Sequence, residues 1–450
     1  MVTRILEEEI ARVLKDAKDK GVEFIDLEFV DILGMPKMCE ITVKRLETAL
    51  REGTWFDGSS IEGFARIAES DMFLVPDTST WAPLPWTGNR TARLICDVYV
   101  DENTPFAGDP RNVLKRQLAK AKEMGFEYLV GPELEFFIFK GMNGGGQGGA
   151  VQAHDNAGYF DLATRDEAVE LRQEMVPALE RMGMKIERSH HEVAQGQHEI
   201  DFTYGNALPI ADAVLTYKTT VKTLSKKYGL YASFMPKPVY GINGSGMHVH
   251  QSLWKEDKNL FYDGSDSYWL SGTAKHFLAG IIEHARGIAA VTNPTVNSYK
   301  RLVPGYEAPV YICWGRINRS ALIRIPRNLA GKEKGTRIEC RFPDPSCNPY
   351  LAFAAMLAAG LDGVKRKLEP PAPVEERVYG YETEKRKTLG IGTLPASLEE
   401  AGQEFEKDSV LAEAMGPHIV ERLMTIQQKD WDGYRTQVTE WEKERYFGVL

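Results

Sequence analysis

Two carboxylates separated by one residue, Glu133 and Glu135, stand in the run Gly131-Pro132-Glu133-Leu134-Glu135-Phe136-Phe137-Ile138-Phe139. The aromatic and aliphatic residues at 128–130 and 136–139 predict a strand, whose two-residue period turns both acids to one face. Like charges at that spacing repel. Burying them raises a pKa or draws in a cation, and a bound metal keeps both ionised. A solvated strand face would look the same in isolation, so the reading turns on other polar residues with the same alternation.

Several follow. His190-His191-Glu192-Val193-Ala194-Gln195-Gly196-Gln197-His198-Glu199-Ile200-Asp201-Phe202 gathers acids and imidazoles around a glycine. The odd spacing of Glu192 and Glu199 cannot share one straight strand face, so Gly196 is expected to bend the chain and bring them to a common site; alone, the string is as readily a surface loop. In Asn243-Gly244-Ser245-Gly246-Met247-His248-Val249-His250-Gln251-Ser252, His248, His250 and Ser252 share a strand face after a glycine-rich close-approach turn. A single histidine is commonly a satisfied core residue, whereas two beside a serine point to a site. Arg337-Ile338-Glu339-Cys340-Arg341-Phe342 repeats the alternation before Pro343, as a strand lining a wet cleft. Between them, residues 297–309 form a loop with Glu307 at its Gly/Pro-flanked tip. Arg301, Arg319, Arg324, Arg337 and Arg341 are fixed cations suited to phosphate and carboxylate.

Were Glu133, Glu135, Glu192, Glu199 and Glu339 to converge, about five negative charges would need about two divalent cations to stay ionised. Oxygen-rich ligation with one imidazole favours Mg²⁺ or Mn²⁺ over structural zinc. With the arginines, that pattern is phosphoryl transfer from ATP by positioning and electrostatics, without a covalent enzyme nucleophile.

The elements that position these residues are legible in outline. Residues 5–20 have a helical apolar period stopped by Gly21; 24–32, 37–43 and 91–100 read as strands of a small β-rich N-terminal domain ending near residue 105. Pro110 opens a helix to about Met124 that leads into the Glu133 strand, where the catalytic part begins. Helices are expected at 166–182 with Asp166 as N-cap, at 212–228, from 350 to 361, and, after the Pro-rich linker 370–377, at 398–406, 410–415 and 418–446. Tyr434, Val438 and Trp441 recur at helix spacing as a packing face. The glycine-rich 142–149 stretch lacks the Gly-Lys-Ser/Thr ending of a phosphate loop and reads as a linker.

The 450 residues, 43% hydrophobic and 26% charged, describe an ordinary globular enzyme of two or three domains. A net charge of −9 argues against nucleic acid or an anionic membrane as partner. The five cysteines show no disulfide or zinc spacing, there is no signal segment, and no stretch approaches the length of a membrane span, so a cytoplasmic protein is expected.

Taken in order, Phe56-Asp57-Gly58-Ser59-Ser60, the Glu133 strand, the 192–199 loop, residues 243–248, the 301–307 flap and the run 337–345 resemble the glutamine synthetases of the bacterial and archaeal type I group, over nearly the whole chain. The resemblance implies an α+β fold, with a β-grasp-like domain at 1–105 and a catalytic domain at 106–450 that binds ATP, glutamate and metal. It implies ATP-dependent ligation of ammonia to L-glutamate through a γ-glutamyl phosphate. One metal would be held by Glu135, Glu192 and Glu199, the other by Glu133, His248 and Glu339, with two to three Mg²⁺ per subunit and Mn²⁺ as a substitute. Glutamate would contact Asn243, Gly244, Arg301, Glu307, Arg319 and Arg341. ATP would meet His250, Ser252, Arg319, Arg324, Lys334 and Arg337. Asp57, Ser60, Tyr159, Glu192 and Glu307 would form the ammonium pocket, with Asp57 from a neighbouring subunit; Asp57, Glu307 and Arg341 would be catalytic. A dodecamer of two stacked hexameric rings is implied, with room for regulatory proteins.

Two departures stand out. Arg377-Val378-Tyr379-Gly380-Tyr381-Glu382 lies where some type I enzymes are adenylylated, but its surroundings do not match and no adenylylation is expected. Arg66 stands at the place of a feedback residue, while Ala68 replaces the acid more usual nearby. The alternative reading is a paralogue joining glutamate to a larger amine such as a polyamine, which would alter the ammonium pocket. A metallohydrolase would not need so many arginines.

Overall fold

The computed structural model of the chain describes residues 5–61, 63, 71–141, 151–329 and 331–450. Arg66, Ala68 and the glycine-rich 142–149 stretch lie outside them. Near the N-terminus, strand Phe24–Val30 buries Ile25 and Leu27 by the expected alternation. It pairs antiparallel with Pro36–Thr42 and parallel with Thr91–Tyr99. Asp71–Pro76 and then Thr54–Asp57 carry the sheet to its far edge. Helix Glu7–Asp19 adds Ile10, Val13 and Ala17 to the apolar cluster of this sheet. Parallel central strands with a covering helix make this a β-grasp arrangement.

A second, larger sheet runs in the order Gly392–Thr393, Tyr311–Gly315, Ala321–Arg324, Ile338–Cys340, Met247–Lys255, Glu127–Lys140, Gln197–Phe202 and Ile186–His191. Helices Pro110–Glu123, Ala207–Lys227, Gly272–Thr292 and Pro349–Arg366 contribute to its core. The last two nearly touch backbone to backbone: a Cβ on Gly280 would stand 2.1 Å from the Ala359 carbonyl oxygen, and one on Gly363 2.1 Å from that of His276. The fold is therefore α+β, as expected, with a β-grasp portion and a catalytic portion of sheet and helices. Among the described residues no helix is long and apolar enough to cross a membrane.

Three local expectations are corrected. Asp166 is not an N-cap: the helix begins at Val169, and Asp166 grips Arg172, with Nη2 at 2.6 Å and Nη1 at 3.1 Å. The helix expected from 212 spans Ala207–Lys227, because Pro209 is tolerated in a first turn, where its missing N–H has no helical partner to lose. The helix expected at 418–446 is two, Pro417–Arg435 and Glu440–Tyr446, the second started by a capping box of Thr439 and Glu442. Val438 and Trp441 are 69% and 61% exposed, while Tyr434 packs beside Trp431 and under Lys300, so the three do not make one buried packing face.

Candidate active site

Strand register brings the acids together. In the antiparallel pairing of Glu127–Lys140 with Met247–Lys255, Glu133 lies opposite His248. On the other side of the same strand, Glu135 lies opposite Glu199. His250 faces Glu339, which in turn faces Arg324. Opposed residues share a face. Gly196, at φ +69°, turns the hairpin that returns Glu192 toward Glu199, as its spacing predicted. The result is a cleft of about 1080 Å³ whose walls include Glu133, Glu135, Glu192, Glu199, His248 and Glu339.

Charge decides what the cleft can hold. Glu133, His248 and Glu339 each offer a ligand atom within 4.8 Å of the others. Although burial pushes Glu133 up, His250 and His248 outweigh it and hold this carboxyl far below its usual range. Glu339 is fully buried, yet His250 and Arg341 hold it down to about 2, with Arg341 Nη1 donating at 2.6 Å and Arg324 against the other oxygen. Across the cleft the balance reverses. Burial and Glu135 push Glu192 up to about 8, and burial, Asp201 and Glu135 raise Glu199. These acids lack compensating charge. A divalent cation supplies it, and their oxygens with one imidazole suit a hard ion. Among the described residues the close grouping of Glu199 is with His190 and Asp201, within 4.8 Å, and not with Glu135 and Glu192 as expected, although all three acids line the cleft.

The residues expected to contact glutamate, Asn243, Gly244, Arg301, Glu307, Arg319 and Arg341, all line the same cleft. The buried Arg301 donates from Nη1 to the Phe342 carbonyl at 2.8 Å and from Nη2 to that of Arg341 at 3.1 Å, which fixes its guanidinium. A Cβ on Gly246 would stand 2.5 Å from Arg301 Nη2, so this close approach requires glycine. The flap tip is held as a turn: Tyr306 and Glu307 have φ of +50° and +59°, and Lys237 Nζ sits 4.0 Å from the Tyr306 ring centroid.

A second cavity of about 870 Å³ adjoins the cleft at Glu133 on the same sheet face, lined by His250, Ser252, Lys334 and Arg337 with Tyr204 and Phe202. Arginine only donates, so His250 Nδ1 accepts from Arg337 Nε at 3.1 Å and Nε2–H faces Glu133 Oε1 at 3.0 Å. Of the residues expected to meet ATP, Arg319 and Arg324 line the acidic cleft instead of this cavity. Tyr159 lines the cleft and remains half-exposed. Asp57 and Ser60 do not: Asp57 ends the edge strand Thr54–Asp57, exposed, with Oδ1 accepting from Ser59 N at 2.8 Å.

Sequence reading missed Arg188, Gln197 and Asp201. Gln197 Nε2 donates to Glu135 Oε2 at 3.0 Å; its position in the Glu192–Glu199 turn was the available signal. A further grouping, His154, Asp155 and His198, lies buried behind the hairpin. It is only partly hydrogen-bonded: Arg172 Nη1 donates to His198 Nδ1 at 2.8 Å, leaving the ring proton on Nε2 and no lone pair there for a metal, while among the described residues neither ring nitrogen of His154 has a hydrogen-bond partner.

With this geometry in view, the comparisons with known proteins agree. A family model described as glutamine synthetase, catalytic domain, matches residues 107–446, and one described as glutamine synthetase, beta-Grasp domain, matches 21–101. The chain is 52% identical over 441 residues to a glutamine synthetase of Thermotoga maritima, covering 98% of this chain and 99% of that one. It is 52% identical over 452 residues to a glutamine synthetase of Methanocaldococcus jannaschii, covering 98% of each. Among solved structures it resembles a GmaS/ADP complex, with TM-score 0.89 at 32% identity, covering 97% of this chain and 99% of that one. It also resembles Plasmodium falciparum glutamine synthetase, with TM-score 0.88 at 28% identity, covering 99% of each.

Proposed function

Because the chain belongs to the glutamine synthetase family, and so ligates ammonia to L-glutamate with cleavage of ATP, we propose how its own residues divide that reaction. The observation that carries the reading is a shared boundary: the acidic cleft and the Lys334–Arg337 cavity adjoin along one face of the sheet, with Glu133 in the lining of both. The nucleotide takes the cavity, with His250, Ser252, Lys334 and Arg337 about it. Glutamate takes the cleft, its carboxylate toward Arg301 and the backbone at Asn243 and Gly244. The ADP in the GmaS complex is in keeping with a nucleotide site in this fold.

Glu133, His248 and Glu339 would hold one Mg²⁺, and Glu135, Glu192 and Glu199 another, about two to three ions per subunit with Mn²⁺ as a substitute. Bound there, such ions neutralise the phosphates and polarise their oxygens. A glutamate γ-carboxylate oxygen attacks the γ-phosphorus, the bond to ADP breaks, and an acyl phosphate forms, because ammonia cannot displace oxide from a carboxylate. Arg319, Arg324 and Arg341 reach the cleft and stabilise the charge on the transferred group. Ammonia then displaces phosphate. Tyr159, Glu192 and Glu307 line the ammonium side, and Glu307 closes it against water, which would otherwise hydrolyse the intermediate.

Asp57 and Ser60, on an exposed edge of the β-grasp sheet, act in the cleft of a neighbouring subunit, where Asp57 takes the ammonium proton. Family members are oligomeric; here the assembly is two stacked hexameric rings. The division into domains falls near residue 105, between the two matched models. Five free thiols accord with a reducing cytoplasm. Phosphate release with glutamate, ATP and Mg²⁺, supplied with either ammonium or polyamines, tests the reading. Turnover with ammonium is expected, and turnover with polyamines alone would overturn it. Glu339→Ala is expected to abolish turnover while the oligomer survives; unchanged activity would remove Glu339 from the metal set.

A further inference from the structure

Among the described residues, only Glu133 and Arg188 line both cavities. A phosphoryl group that leaves a nucleotide in one and reaches a carboxylate in the other crosses at the wall the cavities share. Glu133 belongs to the metal set. The other group at that crossing is a guanidinium.

Arg188 is built to stay there. It lies on strand Ile186–His191, directly across from Asp201 on Gln197–Phe202. Its Nε donates to Asp201 Oδ2, and Asp201 is 4% exposed. That anchor uses one edge of the fork. Nη2 is 3.7 Å from Glu133 Oε1, and the arginine side chain keeps 60% of its surface open. An anchored, planar cation with free donors beside an acid destined for metal has the geometry for phosphate oxygens.

We propose that Arg188 is a further substrate-contacting residue of the ligase, gripping the β- and γ-phosphate oxygens where the nucleotide passes from its cavity into the acidic cleft. The inference rests on the assignment of the Lys334–Arg337 cavity to the nucleotide. During transfer the bond between the γ-phosphorus and the β-phosphate bridging oxygen breaks, its electron pair staying on ADP, while the bond to the glutamate oxygen forms. Arg188 holds charge on both sides of that exchange without giving up a proton. The cross-strand pair with Asp201 offers a second, merely structural role, and the two roles separate in kinetics.

The test is steady-state kinetics of the intact enzyme, with Arg188→Ala, Arg188→Lys and Lys334→Ala beside wild type and melting temperatures for each. Arg188→Ala is expected to lower kcat/KM for ATP about 10- to 100-fold, the worth of a charged hydrogen bond or two, with KM for glutamate within about twofold. Arg188→Lys restores part of the loss, because charge returns without the fork. A kcat/KM for ATP within about twofold of wild type in Arg188→Ala, whatever its melting temperature, would overturn the proposal. Lys334→Ala tells whether the nucleotide assignment falls as well: if it raises KM for ATP while Arg188→Ala does not, only the role of Arg188 is lost.

Discussion

His250 ties the two cavities together: its Nε2 stands 3.0 Å from Glu133 Oε1, and its Nδ1 accepts from Arg337 Nε at 3.1 Å. The arginine fixes the tautomer, and the tautomer aims the ring proton at Glu133, a carboxylate proposed to hold metal. On the proposed assignments His250 orients that ligand from the nucleotide side. His250→Ala is expected to raise the Mg²⁺ concentration for half-maximal activity by about 10- to 100-fold, as loss of an outer-shell partner does. Activity against Mg²⁺ at saturating ATP checks this; an unshifted curve would show that Glu133 needs no such support.

The walls of the cleft were legible in the sequence because they are strands. Alternation placed His248 with His250 and Ser252, and each pairs across the sheet as a same-face residue should. Long-range pairing was not legible. Arg188 reads as one polar residue in an exposed run with Glu187 and Ser189, and its meaning appears only opposite Asp201. Tyr434, Val438 and Trp441 show the converse: their helical spacing was visible, but the chain breaks it into two helices, and Tyr434 meets Trp431 and Lys300 while Val438 and Trp441 are largely exposed. Asp57 was named by motif alone, and its own chain sets it on an edge strand outside the lining of the cleft.

The crossing of Gly272–Thr292 with Pro349–Arg366 has no room for a methyl group. Glycine to alanine in a helix interior gains up to about 1 kcal/mol of propensity. At Gly280 the new Cβ would be 2.1 Å from the Ala359 oxygen and 2.9 Å from Gly363 N, backbone atoms that cannot swing aside. Overpacking costs about 1–3 kcal/mol and wins. Gly280→Ala is expected to melt about 1–2 °C lower by calorimetry, with kcat of the folded enzyme little changed. A raised melting temperature would mean that the helices separate freely.

Thiol reactivity follows burial. Cys96, Cys313, Cys340 and Cys347 are buried, and burial pushes the Cys313 thiol up to about 11 and the others above their ordinary range. Thiolate is the reactive form, so these four stay silent at neutral pH. Cys39, on strand Pro36–Thr42, is partly exposed. A thiol-disulfide reagent is expected to titrate one cysteine in the native chain and all five after denaturation. Rapid reaction of more than one in the native enzyme would contradict the packing of the two sheets around Cys96, Cys313, Cys340 and Cys347.

His284 is clamped between two carboxylates, with Nδ1 2.6 Å from Asp408 Oδ2 and Nε2 3.0 Å from Asp362 Oδ2. Asp408 also caps helix Ser409–Met415, and Asp362 takes a hydrogen bond from Arg366 Nη1 at 2.8 Å. Burial alone would lower the imidazole pKa, but the bonds to Asp408 and Asp362 outweigh it and raise it above the ordinary value of about 6.5. A raised folded-state pKa means that the folded protein holds this proton more tightly. The stabilisation is therefore fully present below about pH 6.5 and is lost as pH rises through the folded value. His284→Gln cannot carry the charge. Below about pH 6.5 it is expected to lower the melting temperature, with the gap to wild type narrowing as pH rises through the raised folded-state pKa. Melting curves of both proteins across that range test the sign: a gap that widens with pH would mean that the imidazole is neutral between its two acids, and that the clamp on the C-terminal helices is not ionic.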